Sequence, residues 1–463
     1  MTIESDDPFP ILDDEPEPEP PVQIARLVEA DEAPPPPRLM LNKAGNPRKI
    51  VANVIDVLSQ HADWRGVLVW DDFALTVRKL KPPPVRRSDI SPRVIAGEWV
   101  DGDTVRTLAW LQTQPSYHRL EISADLLDSA LLAVAELHVV HPIREWLRAL
   151  QWDGIERLPS LFPKLFGAHD TRLNREVGKR WLISAVARVM HPGCQCKYMP
   201  VLESDQDAGK STGIAALVNG PDQRWFSDTP LRIGDKDGYQ SLRAKWIHEW
   251  AELAAFRGAK DVETLKSFVS SQSDNFRASY GRRNRDWPRQ CVFIGSTNEE
   301  RWLSDPTGGS RFWPIRGKKD TPVNVALIAA LRPQLWAEAF TRFEAGERWW
   351  IDPHTESELL ADARSQQKDR TEIDPWIDFI KRWLERPSVP VDGGRELLTA
   401  TEGLTSSDIL SGALDIRRGD ATRAHSTRLG YVMREIGFER SRIMRDGDRH
   451  YRYFPHGSEP PAE

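Results

Sequence analysis

The stretch that most constrains this chain is VLESDQDAGKST, residues 201–212. There an apolar strand that begins just upstream, Met199 to Leu202, runs into a polar loop and then into Gly209-Lys210-Ser211-Thr212 at a helix start. A strand apolar on both faces must be covered on both, which predicts a parallel sheet between layers of helix. The flanking sequence has the matching alternation: helix Val177 to Met190, strand Tyr198 to Leu202, helix from Lys210, strand Lys245 to Glu249, helix Val262 to Ser271 and strand Cys291 to Ser296. Helices at about Asn324 to Phe343 and Glu356 to Gln367 follow. The expected class is α/β.

The loop matches the phosphate-binding consensus GxxxxGK[ST] in all but its first glycine, where Ser204 stands. In that motif backbone N–H groups and a helix N-terminus hold phosphates, the lysine reaches the β- and γ-phosphates, and the hydroxyl binds magnesium. Ser204, Asp205, Gln206, Asp207, Ala208, Gly209, Lys210, Ser211 and Thr212 are therefore the expected ATP-binding residues, with Mg²⁺ on Ser211. A serine cannot freely take positive φ, so a differently shaped loop is expected, and Asp207 adds negative charge beside the phosphates.

Three further elements follow in order. Lys245 to Glu249 is a short apolar strand ending in a carboxylate, where a metal and an attacking water need an acid, and Glu252 is a second acid three residues on. CVFIGSTN is a buried strand ending in Asn298, an amide suited to orient water. Arg311, after the glycine-rich turn in DPTGGSRFWPI, has the chemistry of an arginine finger. Glu249, Glu252, Asn298 and Arg311 are the catalytic candidates, with Glu249 also a metal ligand.

With 463 residues, 40% hydrophobic, the chain exceeds one compact domain. Three cysteines argue against a disulfide scaffold and for a reducing cytoplasm. No apolar run reaches the roughly 20 residues of a membrane span, and the acidic, proline-rich start is unlike a secretory signal. Net charge is -6, but residues 1–32 hold eleven acids and one base, so the remainder is mildly basic. Expected divisions are a disordered tail (1–38), an N-terminal accessory α+β domain (39–170), a P-loop domain (171–372), a C-terminal domain (373–456) and a short disordered tail (457–463). Within the accessory domain, HPIREWLRALQWDGIERL should bury Ile143, Trp146, Leu147 and Leu150 along one helical face. HPGCQC, with His191, Cys194 and Cys196, is too compressed for a tetrahedral zinc site.

The C-terminal segment reads as three helices and a hairpin. Thr405 to Asp408 has capping-box spacing, Asp420 is placed to cap a helix running to Ile436, and Asp446-Gly447 marks a hairpin turn. This order suggests a winged helix. Arg423 and Arg428 would lie on its recognition helix and Arg445 and Arg449 on its wing, for DNA or, alternatively, for protein contacts. A second basic segment contains Lys266, Arg277, Arg282, Arg283, Arg285 and Arg289, interleaved with Tyr280 and Trp287. Its pattern fits single-stranded DNA, with arginines on phosphates and rings on bases, or else a solvated inter-subunit loop.

The run from HPIREWLRALQWDG through ESDQDAGKST, WIHEWAEL, LKSFVSSQSDNFRASYGRR, PRQCVFIGSTN and DPTGGSRFWPI resembles the virulence-associated protein E family of phage and prophage proteins, over about residues 50–345. That family is similar to superfamily 3 helicases, hexameric AAA+ ATPases of viral and plasmid replication. The resemblance implies Walker A at Lys210 and Ser211, Walker B at Glu249 with Glu252, sensor 1 at Asn298, and Arg311 acting on the neighbouring subunit of a homo-hexamer. It also places a DNA-gripping hairpin between Walker B and sensor 1, the interval of the basic, aromatic segment. Relatives usually have glycines where this chain has Ser204 and Asp207, and two arginines where it has Ser310-Arg311. The leading expectation is an ATP-dependent DNA helicase or translocase of a phage, prophage or mobile element, in the cytoplasm of a bacterial host. One alternative is a weakly or non-hydrolysing initiator or interference protein that uses nucleotide as an assembly switch. Another is the ATPase half of a primase-helicase with a separate primase.

Overall fold

Val54, Val57 and Leu58 recur at helical spacing and are buried along α1 (Val51–Gln60), the first helix of the computed structural model. The structure describes residues 37–114, 117, 120–220, 223–251, 253, 259–277, 283–303, 311–371, 374–391, 394–399, 403–445 and 448–458. The chain divides into two compact units, Met1–Arg370 and Thr371–Glu463.

In the first unit, β1 (Leu68–Asp71) and β2 (Thr76–Lys79) form an antiparallel hairpin, joined by β3 (Gly97–Glu98) and, parallel to β1, by β4 (Val139–Val140), in the order β3-β2-β1-β4. This sheet, α1, α2 (Asp101–Thr113) and α3 (Ala124–Ala135) enclose a core that includes Trp64, Trp99, Trp110, Leu127 and Leu131. α4 (Pro142–Ala149) buries Ile143, Trp146 and Leu147 as its periodicity requires, and Leu150 is half-buried beside them. These residues, with Leu158 and Phe162, pack into the core of the following domain. The break between cores therefore falls before α4, not at residue 170, because the apolar face of α4 meets α5 (Arg172–Met190) and α9 (Val325–Glu344).

Thr171 starts α5 five residues earlier than the apolar pattern suggests, its Oγ1 accepting the Asn174 N–H at 3.1 Å. After it come β5 (Met199–Glu203), α6 (Lys210–Val218), β6 (Phe226–Ser227), α7 (Lys236–Gln240), β7 (Ile247–Trp250), α8 (Ala259–Ser270), the antiparallel pair β8 (Ser273–Phe276) and β9 (Arg285–Pro288), β10 (Val292–Thr297), β11 (Phe312–Arg316), α9 and α10 (Ser357–Asp369). β11, β5, β10, β7 and β6 form, in that order, one parallel five-stranded sheet. Period-two alternation serves both faces. Val292 and Ile294 join the core shared with α5, α6 and α9, while Phe293 turns to Leu265, Phe268 and Val269 of α8. β6, two residues long, and β11 were not anticipated; the largely polar β8–β9 pair lies between Glu249 and Asn298, the interval in which the resemblance implied a hairpin.

The second unit contains α11 (Trp376–Leu384), a hairpin of β12 (Ser388–Val391) and β13 (Gly394–Leu397), α12 (Ser406–Ala413), α13 (Arg423–Glu435) and a hairpin of β14 (Phe438–Arg445) and β15 (Asp448–Pro455). Its core includes Ile377, Ile380, Ile409, Leu429, Val432 and Tyr453. Thr405 and Asp408 close the capping box with bonds of 3.1 and 2.8 Å. α13 is capped by Thr422, which accepts the His425 N–H at 3.2 Å, and not by Asp420. The β12–β13 hairpin was also not anticipated.

Candidate nucleotide site at the end of the parallel sheet

The loop between β5 and α6 needs two left-handed residues, Asp207 at φ 61° and Gly209 at φ 81°. Ser204 is not among the described residues with positive φ. Serine at the position of the consensus glycine therefore costs no backbone strain, contrary to the sequence-based expectation. Its room comes from across the sheet, where a Cβ on Gly317 would lie 2.9 Å from the Ser204 Cβ.

Lys210 opens α6 and folds back over the loop, its Nζ donating to the carbonyl oxygens of Ser204 at 2.8 Å and Asp205 at 2.9 Å. Burial lowers its pKa, while Glu249, Asp205 and Asp207 act in the opposite direction. Ser211 donates from Oγ to Glu249 Oε1 at 2.9 Å, and Ser296 on β10 donates to the same oxygen at 2.6 Å. Glu249 lies on β7 and is 1% exposed. Its Oε2 has no hydrogen-bond partner among the described residues. Burial raises the carboxyl's pKa, against the two serine bonds and Lys210, while Asp228 adds to the rise. A buried carboxylate oxygen left unpaired beside a serine hydroxyl suits a hard cation such as Mg²⁺, which takes oxygen ligands.

Ser296 was missed in the sequence, although strand alternation puts it two residues before Asn298 on the same face. Asn298 is exposed just past the end of β10. Asp205, Gln206, Asp207 and Thr212 are exposed, and Ala208 is half-buried. Glu252 lies outside the described residues. Arg311 precedes β11, where its carbonyl accepts the Met199 N–H at 2.8 Å and its Nε donates to Ser270 Oγ at 2.6 Å. Because β5 and β11 run parallel with Phe312 opposite Met199, Arg311 sits at the edge of the sheet opposite to Lys210. The structure does not bring Arg311 to its own chain's loop.

Among the basic residues expected on DNA, Arg277, Arg283 and Arg285 are exposed at the β8–β9 pair, with Arg285 4.7 Å from the Trp287 ring centroid. Arg282 and Tyr280 fall outside the described residues. Lys266 is corrected: its side chain is only 3% exposed, on α8 beside Glu263, so it cannot meet a ligand in solvent. Arg289 is likewise internal, its Nε donating to Asp274 Oδ2 at 2.9 Å. In the second unit Arg423 is exposed at the first turn of α13. Arg428 grips Asp374 through bonds of 2.8 and 2.7 Å over the Trp376 ring, so part of its capacity is spent within the unit. Arg445 and Arg449 lie on β14 and β15, in register with Asp448 and Met444.

Residues 147–372 match the family model described as "Virulence-associated protein E-like domain". Among solved structures the chain is similar to the apo C-terminal region of NrS-1, at 13% identity and TM-score 0.36, covering 67% of this chain and 78% of that one. It is also similar to the JCV helicase, at 15% identity and TM-score 0.21, covering 60% of this chain and 87% of that one. No curated protein matches it.

Proposed function

From the match of residues 147–372 to the virulence-associated protein E-like model we propose that the chain is an ATP-dependent DNA helicase or translocase of superfamily 3 type, acting in replication of a phage, prophage or mobile element. The observation that carries this reading is the Ser211–Glu249–Ser296 cluster beside Lys210, with one Glu249 oxygen left unpaired among the described residues.

In this reading the loop N–H groups and Lys210 bind the triphosphate, and Lys210 exchanges its two carbonyl partners for phosphate oxygens. Ser211 and Glu249 would hold Mg²⁺, which when bound neutralises charge on the β- and γ-phosphate oxygens. Glu249, kept in place by Ser296, polarises the attacking water and Asn298 orients it. Arg311, facing away from its own loop, would serve the nucleotide of a neighbouring subunit in a homo-hexameric AAA+ ring. Arg277, Arg283 and Arg285, with the Trp287 ring, give the β8–β9 pair the chemistry to track a single DNA strand. The three helices and terminal hairpin of the second unit support a winged helix, with Arg423, exposed at the first turn of α13, as a base for duplex DNA.

The test is ATP hydrolysis by the full chain with and without single-stranded DNA, beside Lys210→Ala and Glu249→Gln. DNA-stimulated turnover lost in both variants supports the motor. Asp207, which sets a carboxylate beside Lys210, favours a second reading, the weakly hydrolysing initiator with nucleotide as an assembly switch. Nucleotide binding and assembly without turnover would establish that reading instead.

A further inference from the structure

Cys194 and Cys196 flank Gln195 in the segment between α5 and β5, and their sulfurs lie 3.7 Å apart. Cys194 is half-buried and therefore reachable, whereas Cys196 is buried with its Sγ 3.5 Å from the Ser184 carbonyl oxygen. Cys196 also lines a cavity of about 610 Å³ with Lys197, Tyr198, Arg311 and Trp313. Among the described residues no group of three or more His, Cys, Asp or Glu side chains is placed to hold a metal ion.

The two sulfurs differ in a way that suits a reaction between them. A hydrogen bond with Cys196, and then the positive charge of Arg188, hold the Cys194 thiol below its ordinary range, while burial pushes Cys196 well up. Of the two, Cys194 is the more readily ionised sulfur. The third thiol, Cys291, is fully buried and pushed up to about 11, which makes it an internal control.

We propose that Cys194 and Cys196 form a redox-active dithiol that a hydroperoxide closes into an intramolecular disulfide. The Cys194 thiolate attacks one peroxide oxygen; an S–O bond forms, the O–O bond breaks, and the leaving oxygen takes a proton to become water or an alcohol. The Cys196 sulfur then attacks the Cys194 sulfenic acid, so that the S–S bond forms, the S–O bond breaks, and the departing hydroxide takes the Cys196 proton as water. Two thiols are oxidised by two electrons and one peroxide is reduced. The 3.7 Å separation makes the second step intramolecular. Closure draws the Cys196 sulfur off the Ser184 carbonyl, in the wall of the cavity that also holds Arg311. The pair would stay reduced in a glutathione-buffered compartment and close under peroxide, as cytosolic redox-sensing thiols do.

The test uses the full chain, treated with a small excess of hydrogen peroxide, then unfolded and alkylated. Alkylation should fall from all three cysteines to Cys291 alone, and the tryptic peptide 189–197, which holds both other cysteines, should be lighter than its unalkylated reduced form by two hydrogens. Dithiothreitol should restore all three adducts. In Cys196→Ser, dimedone should label Cys194, and in Cys194→Ser the Cys196 thiol should remain alkylatable. Any of four results would overturn the proposal: no loss of alkylation, a disulfide between chains, sulfinic acid on Cys194 with Cys196 still alkylatable, or oxidation of Cys291 first.

Discussion

The Arg370 guanidinium holds the Glu203 carboxylate in a fork of two 2.8 Å hydrogen bonds, Nε to Oε1 and Nη2 to Oε2, at the last residue of β5 before the loop. Trp302 adds a third bond to Oε1 at 2.8 Å. Both charged groups are nearly buried. Removing one partner leaves an uncompensated charge in the interior, at a cost of about 3–5 kcal/mol, whereas replacing both by apolar residues is often near neutral. Arg370→Ala should therefore lower the urea midpoint strongly, and Glu203→Leu combined with Arg370→Leu should recover much of the loss. Equal losses in the single and double variants would show that the pair does not fix the end of β5.

Ser296 touches Glu249 without standing in the loop, which separates positioning from ligation. Ser211→Ala removes a proposed cation ligand, and Glu249→Gln removes the charge, so both should abolish hydrolysis. Ser296→Ala should reduce it by about 10–100-fold, the usual effect of losing a partner behind a metal ligand. The readout is hydrolysis against Mg²⁺ concentration, where Ser296→Ala should shift the Mg²⁺ dependence. Unchanged Mg²⁺ dependence and rate would remove Ser296 from the site.

Gly317 and Ser204 form a steric pair. A Cβ on Gly317 would meet the Ser204 Cβ at 2.9 Å and the Glu203 carbonyl oxygen at 3.1 Å, an overlap of the kind that costs roughly 1–3 kcal/mol when forced. Gly317→Ala should weaken nucleotide binding, and adding Ser204→Gly should restore part of it. Failure of the double variant to improve on Gly317→Ala would mean that the Glu203 carbonyl alone sets the limit.

The Gly317–Ser204 pair also indicates which features could be read in the sequence. The strand–loop–helix and the strands ending near Glu249 and Asn298 announce themselves because local chemistry fixes them: apolar runs, a left-handed glycine and a lysine at a helix start. Gly317 lies more than a hundred residues from Ser204, and its need for no side chain arises only when β11 is laid beside β5. Ser296 was hidden for the same reason, since its partner is on β7. Lys266 misled because a count of bases treats every base as solvated, whereas the α8 face that carries Lys266 turns inward.

His141 gives the first unit a pH-dependent element. Its Nδ1 accepts the Arg144 N–H at 3.2 Å at the start of α4, so in the neutral ring Nε2 carries the hydrogen and donates to Gln290 Oε1 at 2.7 Å. Burial, the largest influence, brings its pKa down from 6.5 to about 4. The unfolded chain therefore binds this proton more readily than the folded one. Its stabilising contribution is complete above about pH 6.5 and is lost as pH falls through about 4. His141→Asn keeps a capping acceptor without a titrating ring, so the fall in urea midpoint between neutral pH and the pH 5 range should flatten. An unchanged slope in that variant would assign the acid sensitivity to other groups.

Arg283 and Arg285 are exposed where Lys266 is buried, and this contrast decides what a salt titration should show. Each phosphate contact to a single strand contributes about 0.7 to the slope of log affinity against log salt. Arg283→Ala with Arg285→Ala should therefore weaken binding to single-stranded DNA and reduce that slope by about 1.4. Trp287→Ala should weaken binding with little change in slope, because stacking releases no counterions. Lys266→Met, in contrast, should leave the slope unchanged and act, if at all, on stability. A slope that falls for Lys266→Met and not for the paired arginine variant would remove the β8–β9 pair from the DNA path.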